Sequence, residues 1–343
     1  MTESITEPKV IKQVILKNIR STLLDLGNAT KGELSQKLNL SFPTISKFLS
    51  QMEKEGEILI VGLDDSSGGR RAKRYIYNPE YMLGLAIFLE KKETVYTVFN
   101  CVGEVKELGR EPALLSKDSM FALIDCITSI MADYPKISSL AIGIPGVVDN
   151  GRIIYLPEYE QFQDLDLKKV CEDHFSIPVV VENDMNAAVL GYHDNQGVED
   201  KQSLVYLYSG QNGPGAGIIV NGAIVRGRTF FSGEVSFVPQ YDNRNFGEAI
   251  KSESKENITI REENQIDAVS RLVVSFVAIL NPDIMIFCKD EVEEGVLEKI
   301  AIESSCYVPS QHLPKFTTSD WKQDYVHGLQ RLALDLMLDK TGN

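Results

Sequence analysis

The sequence has no apolar run that approaches the ~20 residues needed to cross a bilayer, and its N-terminal segment MTESITEPKV lacks the apolar core of a secretory signal. Its five cysteines are scattered, with no CxxC motif and no paired spacing, which is typical of reduced thiols. These absences exclude a disulfide-rich secreted domain. They predict a cytoplasmic protein with no membrane partner.

Positive charge is also scarce, and it is unevenly distributed. The 343 residues carry a net charge of −14, yet Met1–Asn78 holds twelve Lys and Arg against nine Asp and Glu, which gives +3 there and −17 in the remainder. Most of the chain would repel a nucleic acid, so such a partner is expected only at the N-terminus. The 43% of hydrophobic residues predict a large globular core.

The N-terminal part predicts two helices followed by a turn. Lys9–Leu26 has apolar residues at helical spacing. Thr30 is a candidate N-cap for a second, short helix, because Glu33 stands where it would complete a capping box. Asn39–Ser41 then provides a turn.

A third helix is predicted from near Phe42 to Gly56, with an apolar face formed by Ile45, Phe48, Leu49 and Met52. Small hydroxyls and a lysine near the start of such a helix suit a reader of the DNA major groove, whose first residues meet base edges and phosphates. The candidate contacts are Ser41, Pro43, Thr44, Ser46 and Lys47.

A basic hairpin is predicted directly after the third helix. Glu57–Val61 and Arg74–Tyr77 have strand-like composition, and Asp64–Gly69 between them is rich in turn formers. Basic residues crowd this wing, where they can neutralise phosphates or enter a minor groove. They are Arg70, Arg71, Lys73 and Arg74. The alternative is a solvated charge run, but helix, turn, helix and wing in this order favour DNA.

Strands and helices alternate after a break at Asn78–Glu80. Three successive strands are predicted within Leu83–Arg110, followed by alternating helices and buried strands, and the pattern begins again near Gln202. This predicts two related α/β lobes with a cleft between them. The expected domains are 1–80 for the winged helix-turn-helix, 81–195 for the first lobe and 196–343 for the second, whose last helix, Gly328–Leu338, returns to the first.

Four segments of the lobes resemble motifs of the ROK family, whose members are sugar kinases and sugar-responsive repressors on an actin-like, ribonuclease H-like fold of two lobes. They are GIPGVVD at Gly143–Asp149, ENDMNAAVLGY at Glu182–Tyr192, GPGAGIIVNGAIVRG at Gly213–Gly227 and SGEVSF at Ser232–Phe237. The wing tip Gly68–Arg71 also resembles the family's NagC/XylR-like repressor branch.

The resemblance implies a sugar site in the cleft. Asp184 matches the family's catalytic base, Asn183 a contact to sugar hydroxyls, and Glu234 the sugar-binding glutamate, with Gly146 of the first motif beside them. In a kinase the base takes a proton from a sugar hydroxyl before phosphoryl transfer. The alternative is that Asp184 only caps a helix beginning at Met185.

The nucleotide side departs from the family pattern at three places. Ala86–Glu90 stands where the family has a DxGGT phosphate loop, Gln211–Gly217 replaces a GTGIGAG-like loop and includes Pro214, which has no N–H, and Cys288–Asp290 replaces glycines near the adenine. The three glycines kept in the second loop could serve only a tight turn. No catalytic residue and no cofactor are therefore expected.

The metal site and part of the sugar site that the resemblance implies are altered too. Phe237 stands where the family has a zinc-binding His that also touches the sugar, and no cysteine occurs between Cys171 and Cys288. A tetrahedral zinc site cannot be assembled from such ligands. Glu158 replaces a family Asn. These changes imply a different polyol, an amino sugar or no sugar at all.

Together these features predict a transcription regulator, expected to be a repressor of carbohydrate-related genes, that binds a double-stranded DNA operator as a homodimer or tetramer and responds to a sugar-like effector. Two alternatives remain open. One is an active ROK sugar kinase that uses ATP and carries a DNA-binding appendage. The other is a ligand-independent DNA-binding dimer whose degenerate kinase lobes serve as a scaffold.

Overall fold

The computed structural model describes residues 8–63, 71–114, 119–156, 159, 162–199, 201–210, 213–240, 243–251, 259–293 and 295–339. In these ranges, no helix combines the length and apolar character needed to cross a membrane. The elements form an N-terminal unit with a three-stranded sheet and two α/β lobes, each built on a five-stranded sheet.

The N-terminal unit contains α1 Pro8–Leu26, β1 Ala29–Thr30, α2 Lys31–Leu38, α3 Phe42–Glu55, β2 Ile58–Leu63 and β3 Lys73–Tyr77. The predicted capping box is confirmed: Thr30 Oγ1 accepts the Glu33 N–H at 3.2 Å, and the Glu33 carboxylate accepts the Thr30 N–H at 2.7 Å. α3 starts at a Ser41 cap and ends at Gly56, and its four predicted apolar residues are buried. β2 and β3 pair antiparallel. The predicted turn Asp64–Gly69 and Arg70 lie outside the described residues.

The first lobe contains β4 Leu83–Leu89, β5 Glu93–Asn100, β6 Val105–Pro112, α4 Ser119–Asp133, β7 Ile137–Ile144, β8 Val147–Asp149, β9 Arg152–Tyr155, α5 Leu167–Phe175, β10 Val179–Asn183 and α6 Asp184–Asn195. Its sheet has the order β10-β7-β4-β5-β6, in which the first three strands are parallel. The carboxyl ends of β4, β7 and β10 therefore meet at one edge of the sheet, which is where open α/β sheets bind ligands.

The second lobe contains β11 Leu204–Tyr208, β12 Gly215–Val220, β13 Ala223–Ile224, α7 Phe246–Ala249, α8 Glu263–Leu280, β14 Ile284–Cys288, α9 Val296–Ser304, β15 Lys315–Ser319 and α10 Trp321–Asp339. Its sheet has the order β13-β12-β11-β14-β15, with β11, β14 and β15 parallel. Three parallel strands and an antiparallel pair thus recur in both lobes, which confirms the repeated pattern predicted from the sequence.

α10 follows the second lobe in the chain but packs on the first. Gly191 of α6 and Gly328 of α10 let the two backbones touch, because a Cβ at Gly191 would lie 1.8 Å from the Asp324 carbonyl oxygen and one at Gly328 would lie 1.8 Å from the Ala187 carbonyl oxygen. Ser139 Oγ on β7 also donates to the Ala333 carbonyl at 2.9 Å. α6 and α10 therefore form a closely packed helix pair next to the first sheet.

The sequence prediction missed or misplaced several elements. It did not find the β8–β9 hairpin, α7, α9 or β15, and it began the last helix at Gly328 rather than Trp321. β13 covers only Ala223–Ile224, and the Val225 N–H continues its pairing with β12 by donating to the Ile218 carbonyl at 2.8 Å.

Candidate functional site

A cavity of about 220 Å³ lies in the cleft where the carboxyl end of β10 meets the loop before β12. Its lining includes all four residues that the sequence suggested for a ligand. They are Gly146, Asn183, Asp184 and Glu234, accompanied by Tyr155, Tyr208, Pro214, Ser236 and Phe237. Glu158, which replaces a family Asn, lies outside the described residues.

Asn183 holds the corner between β10 and α6. Its Oδ1 accepts the N–H groups of Met185 and Asn186 at 2.9 and 3.0 Å, and its Nδ2 donates to the Gly146 carbonyl at 2.9 Å. The N-cap of α6 is therefore Asn183, and Asp184 is the first helical residue. The alternative, in which Asp184 caps a helix that begins at Met185, is wrong, because the strand continues into Asn183 and the helix begins directly after it.

Asp184 is a buried carboxyl with an unusual protonation equilibrium. Burial raises the pKa of its carboxyl to about 8, against the lowering effect of the Met185 N–H that it accepts at 2.8 Å. The nearby Glu234 and Glu90 carboxylates act in the same direction as burial. Burial also raises the pKa of Glu234. With a pKa of about 8, the Asp184 carboxyl is mostly protonated near pH 7, so it can offer a hydrogen-bond donor to a ligand.

Glu234 is placed by a glycine and flanked by two aromatic side chains. Gly233 has φ +94°, and a Cβ there would lie 2.0 Å from the Ala216 carbonyl oxygen, so only glycine fits. Phe231 and Phe237 stand on either side in sequence, with ring centroids 5.3 Å apart, and both are exposed. Phe237 borders the cavity, so an apolar ring face is available to a ligand where the family has a His.

An ion pair joins the two lobes next to the cavity. The buried Glu182 carboxylate pairs with Arg226 of the second lobe. It also accepts the Asn183 N–H and the Asn186 amide, each at 3.0 Å. Sequence reasoning missed this bridge, because 44 residues separate its partners and nothing local marks them.

The opposite side of the cleft is filled by aromatic side chains. Tyr208, at the end of β11, stacks on Trp321 with ring centroids 4.1 Å apart and planes at 6°. Phe88, at the end of β4, packs against Trp321 at 6.1 Å and against Tyr325 at 4.7 Å. We refer to Phe88, Tyr208, Trp321 and Tyr325 as the aromatic cluster. Phe88 stands in the segment where the resemblance placed a phosphate loop, and it is 2% exposed.

The loop between β11 and β12 forms hydrogen bonds to neighbouring segments of the chain. Both carboxylate oxygens of Glu291 accept the Ser209 N–H, at 3.0 and 2.8 Å. Burial raises the pKa of Glu291 to about 8. Ser236 Oγ donates to the Pro214 carbonyl at 2.7 Å, and Gly217 is required because a Cβ there would lie 2.1 Å from the Met185 carbonyl oxygen. Gln211 and Asn212 lie outside the described residues.

The candidate DNA contacts on α3 lie at its exposed start. Ser41, Pro43 and Lys47 are exposed, and Thr44 is half-buried. Ser41 Oγ shares a hydrogen bond of 2.7 Å with Thr44 Oγ1 and accepts the Thr44 N–H at 3.3 Å. Ser46 accepts a hydrogen bond from Lys31 Nζ at 2.9 Å, and Lys31 also lies over the Tyr75 ring. Lys31 was not among the residues suggested by the sequence, since its position at the start of α2 gave no signal.

The basic residues of the hairpin differ in their surroundings. Arg71 is exposed. Lys73 lies 3.8 Å from Glu53, and Arg74 donates to Asn28 at 2.6 Å and to Glu33 at 2.9 Å. Arg74 thus reinforces the capping box of α2, which is a structural use that the sequence did not suggest.

In the part of the chain that the structure describes, no group of three His, Cys, Asp or Glu side chains is placed to hold a metal ion. All five cysteines are free thiols.

Residues 93–249 match the ROK family. The xylose repressor of Bacillus subtilis is 24% identical over 237 residues, which are 67% of this chain and 62% of that protein. The DNA-binding transcriptional dual regulator NagC of Escherichia coli is 24% identical over 237 residues, 67% of this chain and 58% of NagC. The matched region is therefore less than two thirds of each relative's own length.

The crystal structure of a ROK family transcriptional regulator, a homologue of the Escherichia coli Mlc protein, matches this chain with a TM-score of 0.69 at 18% identity. The match covers 96% of this chain and 98% of the other, so it extends into the N-terminal unit. It establishes the two-lobed, actin-like α/β fold.

Proposed function

We propose that this chain is a sequence-specific DNA-binding transcription regulator of the ROK family, expected to be a repressor, whose lobes bind a small effector and do not transfer phosphate. The observation that carries the proposal is the exposed start of α3 beside the β2–β3 hairpin, on a helix whose other face is buried. This is the arrangement of a winged helix-turn-helix, in which the second helix of the motif enters the major groove. The relatives named as repressors support it.

The cleft supports an effector role over an enzymatic one. The cavity beside Asn183, Asp184 and Glu234 has room for a small polar ligand, and the name of the xylose repressor favours a sugar or sugar derivative. Phe88 of the aromatic cluster stands in the segment where the resemblance implies a phosphate loop, and Glu291 follows the segment where it implies contacts near the adenine, which supports a cleft that binds no nucleotide. Two copies of the chain would bind operator half-sites about one helical turn of DNA apart. The effector would shift the lobes only if it binds one arrangement of the lobes better than the other.

Fluorescence anisotropy with a duplex selected from random sequences by the full chain tests DNA binding. Replacing Lys47 and Arg71 with Ala should weaken binding by about tenfold or more, and it should lower the salt slope by about one for each phosphate that is no longer neutralised. The matched control is Lys169→Ala, which removes an exposed lysine from α5 and should leave the affinity unchanged. Equal affinities of the double variant and the wild type would remove α3 and the wing from the proposed interface.

A further inference from the structure

α10 connects the cleft to the N-terminal unit. It has 19 residues, so it is about 28 Å long at 1.5 Å per residue. Its first residue, Trp321, belongs to the aromatic cluster, and its last turn lies against α1. Lys17 of α1 forms an exposed ion pair with Asp339 at that end. α10 therefore contacts both the N-terminal unit, to which the proposed function assigns DNA, and the cleft, to which it assigns the effector.

Arg20 of α1 forms the buried part of this junction. Its Nε donates to the Glu57 carboxylate, and its Nη1 donates to the Leu338 carbonyl of α10 at 3.3 Å. Glu57 directly follows the Gly56 cap of α3, and Tyr77 at the end of β3 donates its hydroxyl to the same carboxylate at 3.0 Å. A single guanidinium therefore ties the end of α10 to α3 and to the hairpin, which the planar fork of an arginine can do and a lysine cannot.

The other end of α10 is tied equally closely to the cavity. α6 begins at Asp184, and its backbone touches that of α10 at Gly191 and Gly328. Tyr208, which lines the cavity, stacks on Trp321. Because such packed interfaces switch between discrete arrangements rather than deform, a displacement of α6 or Tyr208 is passed to α10 as a whole.

The contact between α1 and α10 leaves space for a change of angle. A groove of about 680 Å³ runs between the two helices, lined by Leu24 and Asp25 on one side and by Leu334 and Leu338 on the other. The buried hydrogen bonds of Arg20 lie next to this groove. Continuous packing between α1 and α10 therefore does not oppose a rotation of the N-terminal unit about the hydrogen bonds of Arg20.

The geometry points to Arg20 as the positioning residue that couples the DNA-binding unit to the cleft through α10. This inference rests on the proposed function. Coupling free energies are reciprocal, so if a ligand in the cleft changes DNA affinity, DNA must change the state of the cleft. The coupling can therefore be measured with DNA alone, before any effector is identified.

Trp321 is the only tryptophan of the chain, and it reports on the cleft end of α10. The full-length protein is titrated with the selected duplex while anisotropy follows DNA binding and tryptophan emission follows Trp321. The expected result is an emission change that saturates with the same midpoint as the anisotropy. Anisotropy that saturates with no emission change would overturn the coupling while leaving DNA binding intact. No anisotropy change with any duplex would instead overturn the proposed function.

Arg20→Lys tests the residue itself, because it keeps a cation beside the buried Glu57 and removes the reach to Leu338. It should abolish the emission change while DNA affinity and the fold are kept. The matched control is Lys17→Ala, which removes the exposed ion pair between the same two helices and should retain the full emission change. An emission change in Arg20→Lys equal to that of the wild type would overturn the assignment, as would its loss in both variants. If Arg20→Lys fails to fold, the wild-type titration and Tyr77→Phe, which should reduce the emission change by loosening Glu57, decide the matter.

Discussion

The two sides of the cleft differ in how they are filled. The side at the start of α6 holds a cavity bordered by carboxyl, amide and hydroxyl groups, several of them oriented by backbone hydrogen bonds. The side at the end of β4 is closed by the aromatic cluster. A cavity can thus remain on one side of the cleft while the other side is filled, because both lobes contribute residues to each side and the two sheets stay intact. Large aromatic side chains also stabilise the lobe arrangement that they fill.

Emptying part of the aromatic cluster gives the largest expected effect. Phe88→Ala should lower the free energy of unfolding by about 3–5 kcal/mol, because a buried aromatic ring is replaced by a cavity. Urea unfolding measures this. The matched control is Phe231→Ala on the other side of the cleft, where the ring is 45% exposed and the change should stay within about 0.5 kcal/mol.

The same variant tests whether packing alone excludes a nucleotide. ATP with magnesium should not raise the melting midpoint of Phe88→Ala, since Glu291 still engages the Ser209 N–H and Pro214 still lacks one. Equal losses of stability in Phe88→Ala and Phe231→Ala would contradict the contrast between the two sides.

Local signals in the sequence were sufficient for the N-terminal unit and for the motifs of the cleft. Thr30 and Glu33 specify a cap within four residues, and Pro43 and Gly56 mark the two ends of α3, so both helices could be placed without knowledge of the rest of the fold, whereas the short strand β1 was not predicted. The alternation of strands and helices likewise predicted two lobes.

What could not be predicted depends on contacts between distant segments. Tyr208 and Trp321 stack although 113 positions separate them, and Arg20 meets Leu338 across 318 positions. Glycine is a poor former of helix interiors, and the predicted last helix begins only at Gly328. In the fold, Gly328 lies inside α10 at the site where that helix touches α6. Tertiary packing therefore overrides the local preference at that position.

The protonation of Asp184 gives the next effect in size. Its carboxyl has a pKa of about 8 in the folded state against an ordinary value of 3.8, so the folded protein binds the proton more tightly and stability falls as the pH rises through that interval. The expected contribution is on the order of 1 kcal/mol for each pH unit between the two values. Asp184→Asn should lose this pH dependence, so it should be more stable than the wild type at pH 9 and similar to it only near pH 4.

Urea unfolding of both proteins at a series of pH values measures that slope. Glu234 and Glu291, whose pKa values are raised by burial as well, remain in both proteins, so the difference between the two curves isolates Asp184. Parallel curves would show that Asp184 is ionised in the folded protein, and the cavity would then present a charge rather than a hydrogen-bond donor to its ligand.

The smallest effect on stability, and the one that separates the remaining interpretations of the cleft, is expected for Phe237→Ala. The ring is 55% exposed, so the free energy of unfolding should change by less than about 0.5 kcal/mol. A ligand that packs on the ring face should lose about 0.5–1.5 kcal/mol of binding, up to about tenfold in affinity. Thermal unfolding with a panel of monosaccharides, sugar phosphates and ATP with magnesium measures both, since a ligand at a hundredfold excess over its Kd raises stability by about 2.7 kcal/mol. A shift with a sugar that Phe237→Ala reduces, and none with ATP, is the expected outcome. A shift with ATP would favour a kinase, and no shift with any compound would favour lobes that serve only to hold two DNA-binding units together.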